Sequence, residues 1–206
     1  MVGTLDLNEL TFFRGRVALH AILKSLGVGK GNEAAIQAFT CIAVPEAVMA
    51  SQAMPIYIDV EPGSFNMDPA DLARKITHQT KAVVVQHTFG IPADMDRIVD
   101  IVSRMHIPII EDCCHTLRGT YKGRPLGSFG VASFYSFEWG KPVVIGIGGS
   151  AILNDRELSD KMVETYSRYC APGLGTVAKI QLQYYAVSLF YSLALYWRMG
   201  SPCSHR

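Results

Sequence analysis

Two residues near the ends of predicted strands have side chains that could act together on one small molecule. Asp112 follows the apolar run IPIIE, where a buried carboxylate is costly unless a positive partner neutralises it. A protonated pyridine nitrogen would be such a partner. Lys141, in the loop FYSFEWGKPVVIGIGG, has an amine that could hold a carbonyl compound covalently. Pyridoxal 5′-phosphate (PLP) needs both groups, although Asp112 could instead be an N-cap or salt-bridge residue and Lys141 a solvated loop residue.

A third group could hold a phosphate. Gly15, Arg16 and Val17 stand at the start of the first predicted helix, where free backbone N–H groups and a guanidinium together favour an anion. Ser136, at the end of a later predicted strand, could add a hydroxyl to the same phosphate. The alternatives are an ordinary helix start with a surface arginine and a serine that only caps its strand.

Ring-shaped side chains follow other predicted strands. Phe39 comes directly after a strand and could stack on a flat ring. His115, three residues after Asp112, could stack on that ring or bind its oxygen, and His87 could line the same pocket. A core phenylalanine and structural histidines are the alternatives.

The elements that would position these residues alternate along the chain. The predicted strands are apolar throughout, which is typical of a sheet covered on both faces. Strands are expected at 33–38, 55–60, 81–86, 107–110, 132–137 and 150–153, and helices at 15–26, 45–53, 69–76, 94–105 and 156–169. Repeated strand–helix units of this kind predict an α/β three-layer sandwich with a mostly parallel sheet. In such sheets ligands bind at the carboxyl ends of the strands.

Composition limits the class of protein. The 206 residues are 49% hydrophobic with a net charge of +1 and no basic run, so nothing indicates nucleic-acid binding. Five cysteines without a CxxC pair fit a reducing cytoplasm, and the first residues lack the apolar core of a signal peptide. We expect one domain over 1–170, followed by a loop and an apolar helical segment over 171–206.

An uncharged stretch of 14 residues, 184–197, needs separate consideration. It is shorter than the ~20 residues that span a bilayer. We therefore expect a buried or partner-facing helix rather than a membrane-associated one, and a membrane-associated scaffold is the alternative.

Several ordered motifs carry a family resemblance over roughly 15–155. They are IYIDVEPGSFNMDP, HTFGIPADMD, IPIIEDCCHTLRGTYKGRPLGSFG and FYSFEWGKPVVIGIGGSAILND. With them the sequence resembles the DegT/StrS-type sugar aminotransferases, which are PLP enzymes of fold type I. The resemblance implies that PLP is bound by the large domain of that fold, and it assigns contacts to Gly15, Arg16, Val17, Phe39, Asp112, His115, Ser136 and Lys141.

The resemblance also implies an activity. Lys141 and Asp112 would be the catalytic residues of an aminotransferase that moves an amino group from a donor such as glutamate to a keto-sugar, expected to be nucleotide-linked. Such enzymes are expected to be homodimers with a smaller C-terminal domain, which would be largely missing here. Arg16 replaces a threonine of the family, and Pro142 an asparagine. A truncated, non-catalytic or regulatory PLP-fold protein is the alternative.

Overall fold

A seven-stranded sheet organises the protein. The computed structural model describes residues 8–116 and 118–190. In chain order the strands are β1 (Glu9–Phe12), β2 (Glu33–Gln37), β3 (Met54–Ile58), β4 (Thr80–Gln86), β5 (Ile109–Asp112), β6 (Thr120–Tyr121), β7 (Arg124–Pro125), β8 (Ala132–Ser136) and β9 (Gly149–Leu153). The sheet has the order β1-β9-β8-β5-β4-β2-β3, and β6 and β7 form a separate antiparallel ribbon. The strand that ends in Asp112 is therefore the central one.

Helices connect most of these strands. They are α1 (Gly15–Ser25), α2 (Ala43–Ala50), α3 (Pro69–Lys75), α4 (Met95–Ser103), α5 (Arg156–Ser167) and α6 (Leu174–Phe190), with a short 3-10 helix at Thr88–Gly90. Aspartates begin three of them by accepting a hydrogen bond from a backbone N–H of the first turn: Asp68 for α3, Asp94 for α4 and Asp155 for α5. Such caps satisfy N–H groups that the helix itself leaves unpaired.

Both faces of the sheet are covered. On β4, Ala82 and Val84 belong to a buried cluster that includes residues of α1, α2 and α5. Val83 and Val85, on the opposite face, belong to a second cluster with residues of α3 and α4. Because neighbouring side chains of a strand point to opposite faces, an apolar strand of this kind has to lie between two layers of helices. The predicted three-layer α/β sandwich is confirmed.

The sheet is parallel in its larger part. Strands β3, β2, β4, β5 and β8 are paired in parallel, whereas β9 runs antiparallel to β8, and β1 antiparallel to β9. The sequence analysis did not predict β1. Its four residues alternate between exposed and buried, which is too short a pattern to recognise against the loop residues around it.

One predicted strand is shifted along the chain. The prediction placed it at 107–110, but β5 runs from Ile109 to Asp112. Pro108 lacks an N–H and can form a hydrogen bond with the neighbouring strand only through its carbonyl, which accepts from Val83 N–H at 3.0 Å. Glu111 and Asp112 are consequently part of the strand, and both are buried.

The segment after α5 is much more exposed than the rest of the described chain. Most of the described side chains of α6 are exposed, among them Leu182 and Tyr185. No helix within 8–116 and 118–190 is long and apolar enough to cross a membrane. Residues 191–197 of the apolar stretch lie outside the described residues. The loop between α5 and α6 contains the predicted boundary at 170/171, and the division into two domains stays a prediction.

Candidate active site

A cavity opens at the carboxyl edge of the sheet. It has about 450 Å³ of empty space, part of it open to solvent, and it is bounded by the ends of β4, β5 and β8 and the first turns of α1 and α2. Its lining includes six of the predicted site residues: Gly15, Arg16, Asp112, His115, Ser136 and Lys141. Residues far apart in sequence thus meet at the edge where parallel strands end.

Asp112 provides a buried acid in this cavity. It is 4% exposed, and its Oδ1 accepts a hydrogen bond from Cys114 N–H at 2.9 Å. Burial and the neighbouring Asp112 charge raise the pKa of the Cys114 thiol far above its ordinary value, so this thiol stays protonated. A carboxylate at this depth favours a cationic partner in the cavity.

Lys141 also lines this cavity. It belongs to the loop after β8, where Gly140 adopts a positive φ of 79° and Lys141 N–H donates to the Glu138 carbonyl at 3.2 Å. Partial burial lowers the pKa of His115, the Lys141 ammonium lowers it further, and Asp112 opposes both effects. The amine, the acid and the imidazole are therefore within electrostatic reach of one another.

The start of α1 forms a third part of the cavity. Arg14 occupies the N-cap position without a side-chain cap, so the N–H groups of Gly15 and Arg16, which have no carbonyl acceptor within the helix, can meet another acceptor. A Cβ added to Gly15 would lie 3.0 Å from both Ser136 Cβ and the Tyr135 carbonyl oxygen. A Cβ added to Gly149 would lie 2.4 Å from Gly15 N. Glycine at both positions lets the helix start approach β8 and β9, beside the Ser136 hydroxyl.

Arg16 extends this part of the cavity with a cation. Its Nη1 forms an ion pair with Glu46, in the first turn of α2. The two side chains are 34% and 43% exposed, so solvent screens the pair and its contribution to stability is small. Arg16 could exchange Glu46 for another anion at low cost.

Two residues with predicted contacts, Val17 and Phe39, are not among those that line the cavity. Val17 packs beside a core cluster, and its N–H donates to the Arg14 carbonyl at 3.0 Å. The ring of Phe39 packs on Phe65 instead, with 5.4 Å between centroids. The buried amide of Gln37 joins the backbones of the two residues, because its Nε2 donates to the carbonyls of both Phe39 and Phe65 at 2.8 and 3.2 Å.

Other residues line the cavity that the sequence analysis did not assign to it. Cys41, two positions after Phe39, does so, as do Gln86 and Glu138. Gln86 ends β4 directly beside Asp112 in the sheet register, and its Oε1 accepts from Thr40 Oγ1 at 2.7 Å. The rule that directs attention to strand ends could have found Gln86. No sequence signal pointed to Cys41.

The sequence left two roles open for His87, a residue of the pocket lining or a structural histidine, and its contacts are those of a structural histidine. It is fully buried, and its Nδ1 accepts from Ala93 N–H at 3.2 Å, so Nε2 carries the proton and donates to Glu111 Oε2 at 3.1 Å. Glu111 also accepts from three backbone N–H groups of the loop 127–130 at 2.6 to 2.9 Å. Burial raises the pKa of Glu111, but these hydrogen bonds outweigh it and hold the pKa below its ordinary value. This pair anchors the loop and is not part of the cavity.

Comparisons with known proteins agree with this architecture. GDP-perosamine synthase of Escherichia coli O157:H7 is 36% identical over 151 residues, which are 73% of this chain and 42% of that protein. A pleiotropic regulatory protein of Geobacillus stearothermophilus is 37% identical over 71% of this chain and 40% of its own length. The solved PLP form of a putative sugar aminotransferase from Streptococcus pneumoniae superposes with a TM-score of 0.72 at 28% identity, covering 77% of this chain and 45% of that one.

The chain spans about two fifths of the length of these curated relatives. The model of the DegT/DnrJ/EryC1/StrS aminotransferase family nevertheless matches residues 8–188, nearly all of the described part. The sequence motifs, the sheet and the cavity at its carboxyl edge all agree with that match. The chain belongs to the DegT/DnrJ/EryC1/StrS aminotransferase family.

Proposed function

We propose that this chain binds PLP in the cavity at the carboxyl edge of the sheet and forms part of an aminotransferase. The acceptor would be a keto-sugar, expected to be nucleotide-linked, and the donor an amino acid such as glutamate. The observation that carries the proposal is the meeting of Asp112, Lys141 and the start of α1 around one cavity.

The residues present fit the chemical groups of PLP. Asp112 offers a buried carboxylate to a protonated ring nitrogen, and Lys141 offers an amine to a carbonyl carbon. The N-terminus of α1, with Arg16 and Ser136 beside it, offers donors to a phosphate. When bound, PLP supplies an electron sink that stabilises negative charge at the substrate Cα.

Lys141 and Asp112 would do the chemical work of the protein. Lys141 would hold the cofactor covalently and, once a donor amine replaces it, act as the base that moves the Cα proton. Asp112 would keep the ring nitrogen protonated, because its charge is shielded from solvent.

His115 would contribute a hydrogen-bond donor. Its Nδ1 accepts from Phe89 N–H at 3.4 Å, and its ring stacks on Phe89 with the planes 5° apart. A neutral imidazole with Nδ1 occupied as an acceptor carries its proton on Nε2. That N–H would be available to an oxygen on the cofactor ring.

The substrate and the assembly are proposals that rest on the relatives. GDP-perosamine synthase is one match, and a putative sugar aminotransferase is another. We infer a keto-sugar acceptor from these two names. The homodimer follows from the family resemblance of the sequence motifs, and a cytoplasmic location from the five cysteines without a CxxC pair. Since the chain spans about two fifths of those relatives, residues outside it would complete the substrate site.

Borohydride reduction in the presence of PLP, followed by peptide mass mapping, tests the cofactor site. We expect a pyridoxyl adduct on Lys141, loss of the adduct in Lys141→Ala, and retention in Lys161→Ala, whose side chain pairs with Glu157 on the surface of α5. An adduct on another lysine would overturn the assignment. Formation of 2-oxoglutarate from glutamate by the PLP-loaded protein tests the first half of the transfer.

A non-catalytic regulatory role is the second candidate. The relative from Geobacillus stearothermophilus, described as a pleiotropic regulatory protein, favours it. A protein that carries PLP on Lys141 but releases no keto acid from any amino donor would support this candidate over transfer.

A further inference from the structure

A second cavity adjoins the proposed PLP cavity. It lies between the start of α1, the loop after β8 and helix α6, and it has about 1420 Å³ of empty space, including space open to solvent. We name it the side cavity. Its lining includes Arg14, Glu138, Trp139, Thr176 and Lys179.

One ion pair contains a residue that lines both cavities. Arg14 Nη1 lies 2.9 Å from Glu138 Oε1, and Glu138 lines both cavities. Arg14 directly precedes Gly15, and the Glu138 carbonyl accepts from Lys141 N–H. The pair is thus attached to the proposed phosphate end of the PLP cavity on one side and to the proposed covalent lysine on the other.

Charge in the side cavity favours an anion. Among the described residues that line it, Arg14 and Lys179 contribute two cations, and Glu138 contributes one carboxylate. Thr176 and Gln183 add neutral hydrogen-bonding groups. The side chains of the ion pair are 42% and 28% exposed, and ion pairs this accessible add little to stability. An incoming anion could therefore take the place of Glu138 on Arg14 without disturbing the fold.

We propose that the side cavity binds an anionic group of a substrate, a carboxylate or a phosphate, through Arg14 and Lys179. This inference rests on the proposed function, because it places a substrate next to Lys141. Glu138 acts as the competing anion, which holds Arg14 while the side cavity is empty of ligand. A substrate bound there has its charged group beside α6 and its reacting part toward Glu138, which lines both cavities.

Fluorescence of Trp139 reports on this site. The sequence contains two tryptophans, so the full chain carrying Trp197→Phe leaves Trp139 as the probe. We would titrate it, without PLP, with glutarate for a carboxylate source, with uridine diphosphate for a phosphate source, and with glucose as the uncharged comparison. Saturable quenching by glutarate assigns the anion to an amino-acid donor, and quenching by uridine diphosphate assigns it to a sugar nucleotide.

Charge-removing variants decide whether the named residues are responsible. We expect Lys179→Gln and Arg14→Gln each to weaken binding about 1.4- to 5-fold, the loss of one solvent-screened ion pair. Glu138→Gln should tighten binding, and the matched surface variant Lys161→Gln should leave it unchanged. Lys179 is exposed, so its replacement tests the site even if Arg14→Gln impairs folding.

Two results would overturn the inference. One is the absence of saturable quenching by both anions, and the other is equal affinity in the wild type, Lys179→Gln and Arg14→Gln. Because the titration uses no PLP, its outcome is independent of adduct formation at Lys141. Failure of the side cavity and failure of the proposed function can therefore be told apart.

Discussion

Replacing Glu46 by glutamine should strengthen the binding of PLP. In the free protein Arg16 is held by Glu46, and a phosphate at the start of α1 has to compete with that carboxylate. Both side chains are about a third or more exposed, so the pair is screened and is worth about 0.2–1 kcal/mol. Removing the competitor should therefore tighten PLP binding about 1.4- to 5-fold.

Replacing Arg16, the other member of the ion pair, should change the affinity for PLP more strongly and in the opposite direction. Arg16→Gln removes a hydrogen bond between charged groups, worth about 1.5–3 kcal/mol. Up to about 1 kcal/mol of this is offset because the ion pair with Glu46 no longer has to break. PLP binding should weaken about 2- to 150-fold.

Equilibrium titration followed by PLP absorbance measures both changes, and pyridoxal provides the control. Pyridoxal lacks the phosphate, so neither variant should alter its affinity. Added salt should reduce the difference between wild type and Glu46→Gln, because these side chains are accessible to ions. Weaker PLP binding by Glu46→Gln, or equal effects on PLP and pyridoxal, would refute the placement of the phosphate beside Arg16.

Three further predictions concern stability and can be checked by urea unfolding. Gly149→Ala should destabilise the fold by about 1–3 kcal/mol, because the new Cβ would lie 2.4 Å from Gly15 N, whereas Gly173→Ala, which meets no atom within 4 Å, should avoid that clash and serve as its control. Glu111→Gln should cost about 2–6 kcal/mol at pH 7, since its NH₂ would face two hydrogen-bond donors at about 1–3 kcal/mol each. Burial raises the pKa of Glu111, but its hydrogen bonds lower the pKa overall. The stabilisation is therefore present above the ordinary glutamate pKa and is lost as the pH falls through the pKa of Glu111 in the folded protein. If the free energy of unfolding of Glu111→Gln fell with decreasing pH as steeply as that of the wild type, this reasoning would be contradicted. Asp68→Ala should cost about 1 kcal/mol through the lost cap of α3, and an unchanged midpoint would show that the cap is dispensable.

The sequence was sufficient for the layers of the fold because the signals involved are local. A run as short as 81–86 with three consecutive valines favours a strand covered on both faces, and Asp68 followed by Pro69 is a strong helix start. The antiparallel end of the sheet was not predicted. The four residues of β1 become a strand only through pairing with β9, and a short pattern contains no information about a distant partner.

The residues of the candidate site could be predicted where the ends of parallel strands bring them together. They could not be predicted where a side chain has several possible tertiary contacts. Asp112 and Ser136 follow from strand order alone. The packing of Phe39 on Phe65 brings together two loops that are distant in sequence, and the pairing of Arg14 with Glu138 depends on the path of two further loops. Neither arrangement leaves a trace in spacing or composition.

The close approach of Gly15, Ser136 and Gly149 has a consequence for biosynthesis. The first helix leaves the ribosome on the order of ten seconds before the strands that it packs against. During that interval β1 lacks β9, and the apolar face of α1 lacks the part of its core cluster that β8, β9 and α5 supply. Until β9 has been made, the first helix would therefore expose apolar side chains that the folded protein buries, and a chaperone that covers them would prevent aggregation of the nascent chain.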